Sequence, residues 1–394
     1  CDRVPQPLLE FRLEARGFPF DVQCEEAVRP ILDTMFGQLA RSSGAPRATF
    51  KLIGVREGQN EWNVVQDGRL MMGCPHLSDA LHGLMVFVNQ AVIAGRPDLL
   101  CIHAASVALA GAGVLLPASS GSGKTTLCGR LLQRGAEYLT DDSVGLAGEG
   151  LMLGYPRPLG FKWRGEDRFA DVDLTGLQLD SLQLVWQVPA ARLGASTVAS
   201  TQAALVAVPR FERGAELRIE PLTRHASARH LIAQAQNMGA VGLTPALHLL
   251  GGLVARCQSY SLTYGDARDA AGMIETMVEV AAGQAPVPYR VVPAADIAPE
   301  AGAGLGPVAD VGALCFDDGG ILVRAGTGDI ATIDHIGARV WPLLDGRRDL
   351  DEVVGILATD FAAPEDQVRT DVSLWLEELT VRGFLRRGEA ARPV

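Results

Sequence analysis

The run Gly113-Val114-Leu115-Leu116-Pro117-Ala118-Ser119-Ser120-Gly121-Ser122-Gly123-Lys124-Thr125-Thr126 constrains the fold more than any other stretch of the chain. Residues 114–116 read as a short buried strand, 119–123 are all small, and 125–134 carry Leu127, Leu131 and Leu132 at helical spacing before Gly135 stops them. A strand that enters a glycine-rich turn and opens a helix is the context a phosphate-binding loop requires. Glycines let successive backbone N–H groups point inward around an anion, and the helix N-terminus adds partial positive charge. Ser119, Ser120, Gly121, Ser122, Gly123, Lys124, Thr125 and Thr126 are therefore expected to cradle the phosphates of a nucleotide such as ATP. Lys124 would reach the terminal phosphates and the Thr125 hydroxyl would ligate Mg2+. The usual first glycine of such a loop is Ala118 here. The bland alternative is a Gly/Ser turn with a solvated lysine.

Two features flank the loop. Residues 101–110 read as strand and 111–113 as a turn, so the loop's strand is expected to be one arm of a hairpin. Ordinary Rossmann-like nucleotide domains do not enter their loop this way. After the helix, 138–140 read as a short strand ending in Asp141 and Asp142. A right-handed crossover would set it parallel to the loop's strand, with both ending on the sheet edge where ligands bind. Phosphoryl transfer to a hydroxyl needs a metal to neutralise charge and a carboxylate to orient or accept the proton. Two adjacent acids can supply both; the alternative is one metal-binding acid and one turn residue. A lone histidine such as His103 is more often structural.

Taken together, His103, the run from Ser119 to Thr126, and Asp141-Asp142 resemble the catalytic core of HPr kinase/phosphorylase, with the same spacings from the loop lysine. The resemblance implies Lys124 on the phosphates, Thr125 on Mg2+, Asp142 as general base and His103 as an active-site partner. It also implies that Asp141 assists the metal or its waters. A closer likeness, to HPr kinase-related proteins, is carried by Tyr155-Pro156-Arg157-Pro158-Leu159-Gly160-Phe161-Lys162, Pro209-Arg210-Phe211, Glu220-Pro221-Leu222 and the segment 257–266. It implies phosphate or substrate contacts for Arg157 and Lys162; the alternative is a turn set by Pro156 and Pro158. The Gly-rich motif of true HPr kinases, with its metal-binding glutamate, has no fixed counterpart, although Glu166 and Asp167 lie nearby. Dephosphorylating activity and HPr as substrate therefore do not carry over.

The C-terminal stretch has strands at 311–316 and 321–325, then three helical patterns. One covers 333–344. The second opens with Asp349 and Glu352, a capping-box pair, and the third starts near Pro364. This winged-helix-like pattern resembles PqqD-like domains through residues 333–338, 341–346 and 375–385. Those domains bind the leader segment of ribosomally made peptides by adding a strand to a sheet edge. DNA binding is the competitor for such a fold. However, Glu365, Asp366, Asp371, Glu377 and Glu378 recur where a basic recognition helix would be needed.

The organisation expected is thus an N-terminal α+β lobe (1–92), a P-loop catalytic unit (93–282), a Pro/Ala/Gly-rich linker (283–307) and a PqqD-like unit (308–394). Within the lobe, 25–39 and 78–92 read as helices, the second with Ser78 as N-cap. The fold class is α/β, with an HPr kinase/PEP carboxykinase-like core. A net charge of −11 without a basic run disfavours nucleic acid. Seven scattered cysteines with no Cys-x-x-Cys pair fit a reducing cytoplasm. Acidic and basic residues break the first apolar run, so no signal peptide is expected, and the apolar stretch 99–119 is too weak for a membrane span. The reading that uses every part is an ATP- and Mg2+-dependent kinase acting on a Ser or Thr hydroxyl of a precursor peptide held by 308–394. Peptide-maturation enzymes and a second copy of the chain are further candidate partners. The alternatives are a small-metabolite kinase with a partner-docking domain, and a nucleotide-binding scaffold without transfer activity.

Overall fold

A computed structural model describes residues 8–54, 62–162, 172–175, 177, 179–180, 185–293 and 305–387. It is a mixed α/β chain built in three packed units.

The N-terminal lobe is a six-stranded sheet in the order Ala40–Arg41, Leu9–Ala15, Phe18–Cys24, Thr49–Gly54, Trp62–Gln66, Arg69–Cys74. Phe20, Phe50 and Leu52 from the sheet meet Leu84 and Val88 of the helix Leu77–Ala94 in one core. That helix is long and apolar enough to cross a membrane by length and composition alone, yet Leu81, Leu84, Met85, Val88 and Val92 are buried within the lobe. Ser78 does not cap it. The helix begins one residue earlier, behind His76, and the Ser78 hydroxyl instead bonds Asp79. The helix expected over 25–39 is a 3-10 turn, Glu26–Val28, followed by Arg29–Phe36.

The second unit holds the loop. Its sheet runs Glu137–Thr140, Ala104–Leu109, Ala112–Pro117, Ser200–Phe211, Leu151–Leu153, Val144–Leu146, Leu100–Ile102, with Gln258–Tyr264 also paired to Ser200–Phe211 and Arg218–Pro221 paired in turn to Gln258–Tyr264. The hairpin before the loop is present: Ala104–Leu109 pairs antiparallel with Ala112–Pro117 around Ala110 and Gly111, whose φ angles of 50° and 80° make the tight reversal. Glu137–Thr140 runs parallel to the loop's strand and ends on the same edge. It is one strand removed, however, because Ala104–Leu109 lies between them. The strand expected over 101–110 is two strands broken at His103. There the backbone bonds leave the ladder: His103 N–H donates to Gln234 C=O at 2.8 Å and Ala104 N–H to Asp142 C=O at 3.2 Å.

The third unit has a four-stranded antiparallel sheet, Arg290–Val292, Val311–Phe316, Gly319–Arg324, Ile330–Ile333, followed by the helices His335–Val340, Leu350–Phe361 and Glu365–Val381. The capping box of Asp349 and Glu352 forms as expected. The strand Ile330–Ile333 was not anticipated, and it shortens the helix expected over 333–344; Asp334 caps the remainder by accepting from Gly337 N–H at 2.8 Å. Residues 283–307, expected as a linker, contribute Arg290–Val292 to this sheet and Leu305–Pro307 to a pairing with Leu385–Arg387. One face of the sheet, Leu314, Phe316, Ile321 and Val323, packs into the same core as Leu247 and Leu250 of the helix Leu243–Arg256. The other, with Ala313, Leu322 and Ile333, packs with Val353, Leu357, Val372 and Leu376. The third unit is therefore docked on the second through a continuous apolar core, not hung from a free tether.

Candidate active site

The loop's shape is set by two glycines. Gly121 and Gly123 both have φ +93°, a region that side chains avoid. Gly123 is fixed a second way: a Cβ there would stand 2.4 Å from the Tyr264 hydroxyl and 2.8 Å from Phe211 Cβ. The helix Lys124–Gln133 starts directly after it. The loop is braced from outside as Phe211 N–H donates to Ser122 C=O at 2.9 Å and Lys162 Nζ to Ser120 Oγ at 2.9 Å. Pro209-Arg210-Phe211 thus ends the parallel neighbour of the loop's strand, which places the sequence-selected segment against the loop.

Asp141 faces the loop. The Thr125 hydroxyl donates to its Oδ2 at 3.1 Å, and Gly160 N–H donates to the same atom at 3.1 Å. Its Oδ1 is buried with no hydrogen-bond partner among the described residues, a state that costs about 1–3 kcal/mol in a folded protein. Burial lifts the carboxyl to about 6, with Lys124, Gly160 and Arg157 pulling the other way. A hydroxyl and a carboxylate with an unused oxygen, side by side next to the glycine loop, are oxygen donors of the kind Mg2+ takes. Glu166 and Asp167 lie outside the described residues.

Lys124 is 6 % exposed. Its Nζ sits 2.8 Å from His103 Nε2 and 3.2 Å from Ala118 C=O. Burial lowers its pKa, while Asp141 and Asp142 raise it. The other ring nitrogen of His103, Nδ1, lies 2.9 Å from Asp142 C=O and 3.2 Å from Asp142 Oδ1. The strand break at His103 is what turns its ring toward both groups.

Asp142 sits in a cationic corner. Arg157 Nη1 lies 3.2 Å from its Oδ2, and Asn89 Nδ2 donates to that same oxygen at 3.2 Å. Burial alone would raise the carboxyl, but Arg157, His103 and Lys124 outweigh it and hold Asp142 well below the usual carboxylate range. Arg157 is held in place from behind, where Tyr138 Oη donates to its C=O at 2.8 Å.

His103, Lys124, Thr125, Asp141, Asp142, Arg157 and Lys162 thus converge on one sheet edge. Two contributors escaped sequence reasoning, both from the lobe read as bland. Asn89 reaches Asp142 from the helix Leu77–Ala94. Arg16 is buried in the hairpin turn Arg16-Gly17, stacks on Tyr155, and places Nη1 3.3 Å from both Cys101 Sγ and Ser143 Oγ. The signal available for Asn89 was its polarity inside an apolar helix. For Arg16 there was none beyond its place in a turn.

No curated protein matches the chain. Solved structures similar to it include TbiB1 in complex with the TbiA(beta) leader peptide, at 23% identity and TM-score 0.20 over 22% of this chain and 99% of that one. They also include the Hpr(Ser) kinase/phosphatase from Coxiella burnetii, at 14% identity and TM-score 0.24 over 46% of this chain and 94% of that one. Residues 319–385 match the family model of the Coenzyme PQQ synthesis protein D (PqqD), so the third unit contains a PqqD domain over those residues.

Proposed function

We propose that the chain is an ATP-dependent kinase that transfers the γ-phosphoryl group to a Ser or Thr hydroxyl of a ribosomally made precursor peptide held by the PqqD domain. The observation that carries this reading is a division of labour at one sheet edge, in a chain that also has a PqqD domain. Lys124 and the Thr125–Asp141 pair face the phosphate loop, while Asp142 is held apart in its own cationic corner. Lys124 would move from His103 and Ala118 C=O to the phosphates. Thr125 and Asp141 would hold Mg2+, which when bound neutralises phosphate charge. Asp142, kept ionised, would orient the acceptor hydroxyl and take its proton as the hydroxyl oxygen bonds to phosphorus and ADP departs. Lys162, at the loop's outer rim, would contact phosphate or peptide. The PqqD match supports a peptide as partner, and a strand-addition mode would use an edge of its sheet. Free thiols at every described cysteine suit a reducing cytoplasm.

The test is mass spectrometry of candidate precursor peptides incubated with the full chain and Mg-ATP. The expected result is one phosphate on a Ser or Thr, lost with Asp142→Asn and reduced sharply when the peptide lacks its leader. Transfer to a small metabolite but to no peptide would overturn the acceptor assignment. Transfer unchanged in Asp142→Asn would overturn the site assignment.

A further inference from the structure

We infer that Asn89 is a positioning residue for Asp142, so that the N-terminal lobe completes the active site; the inference rests on the reading of Asp142 as the carboxylate that orients the acceptor. The helix Leu77–Ala94 is built mainly from apolar residues, with Leu81, Leu84, Met85, Val88 and Val92 buried. Asparagine is a poor helix former and resists desolvation. Nothing in the lobe's own packing calls for it. Among the described residues its side chain makes one hydrogen bond, from Nδ2 to Asp142 Oδ2 at 3.2 Å, and its Oδ1 makes none. The amide is thus aimed at one carboxylate across the boundary between two units. Attachment of the lobe does not depend on it, since Arg16 already spans that boundary to Cys101, Ser143 and Tyr155.

The geometry around Asp142 shows what a neutral donor adds there. Arg157 and Asn89 both meet Oδ2, while Oδ1 faces His103 Nδ1 at 3.2 Å. Arg157 supplies charge. Asn89 supplies none, but its bond is a second hold on Oδ2, which with His103 at Oδ1 sets the tilt of the carboxylate. A misplacement of about 1 Å in a reacting group can cost about 100-fold in rate.

The test uses Asn89→Leu, which keeps the bulk, removes the donor and favours the helix, with Asn89→Gln restoring an amide. Transfer is followed as ADP formation from Mg-ATP with the peptide identified in the experiment above. Asn89→Leu is expected to lower kcat about 10- to 100-fold, with KM for ATP, leader-peptide affinity and melting midpoint unchanged. Asn89→Gln should recover part of the loss. A crystal structure of Asn89→Leu without nucleotide should show the Asp142 carboxylate rotated about Arg157. Wild-type kcat in Asn89→Leu, with transfer abolished in Asp142→Asn, would overturn this inference alone. Loss of activity together with melting midpoint would overturn it too, as the mark of a packing defect. Full activity in Asp142→Asn would instead defeat the reading on which it rests.

Discussion

Asp141 and Asp142 share a peptide bond but meet different partners. Asp141 looks to the loop, receives one hydroxyl and one backbone N–H, and is pushed up to about 6 by burial. Asp142 looks to Arg157, His103 and Asn89, and their donors hold it ionised far below that. Both follow the strand Glu137–Thr140, and one short segment thus offers two carboxyls with different sets of partners. A carboxyl that is readily protonated until a cation arrives suits a metal site. One that stays charged at any working pH suits the orientation of a hydroxyl.

Four measurements would break or sharpen that contrast. The largest effect is expected from Asp142→Asn, which should lower transfer about 100- to 10,000-fold while leaving nucleotide affinity intact. Steady-state kinetics beside equilibrium nucleotide titration would show this; a parallel loss of affinity would mean that the two acids share one job. Next, Arg157→Met removes the main cation facing Asp142 and leaves its partly buried carboxylate to His103, Lys124 and Asn89. A destabilisation of about 3 kcal/mol is expected, read by chemical denaturation, together with a lower kcat. A third effect is on pH. The Asp141 pKa is raised above its unfolded value of 3.8 to about 6, so the stability from its protonated form is full below the lower value and lost as pH rises through the upper one. Mg2+ binding needs the ionised form. The melting shift given by Mg-nucleotide should therefore grow between pH 5 and pH 7.5, and binding near pH 5.5 should release a proton to buffer in calorimetry. The smallest effect concerns the docking of the third unit. Asp318 accepts from Arg224 N–H at 2.6 Å at the start of the helix Arg224–Ile232, and Asp317 meets the Arg224 guanidinium at 3.0 Å. Asp318→Ala should cost about 0.5–1 kcal/mol, read in the same denaturation assay, without altering Asp141 or Asp142.

What sequence could reveal follows the same division. The loop side is local: the strand, glycines, lysine and threonine are contiguous, and Asp141 follows one helix later, so spacing alone located it. The capping box of Asp349 and Glu352 was visible for the same reason. The Asp142 side is assembled from Asn89, His103 and Arg157, brought together only by tertiary packing. Resemblance pointed to His103 and Arg157; Asn89 was marked only by its polarity inside an apolar helix, and Arg16 only by its place in a turn. The short strands Arg290–Val292 and Ile330–Ile333 were missed for a third reason. Strands of three and four residues carry too little alternation to stand out from a Pro/Ala/Gly-rich stretch or from the helical spacing that begins at Ile333.

The four-stranded sheet of the third unit is covered on both faces, by Leu247 and Leu250 on one side and by its own helices on the other. A newcomer can join it only along a rim, where the described sheet ends at Ile330–Ile333 and at Arg290–Val292. In the proposed reading, a peptide seated on such a rim would take its heading relative to the loop from the apolar core that the sheet shares with the second unit. Which hydroxyl is presented would then be a matter of counting residues from the anchored segment. Lengthening or shortening that spacer, not altering the acceptor's neighbours, is the change to which the site should be most sensitive.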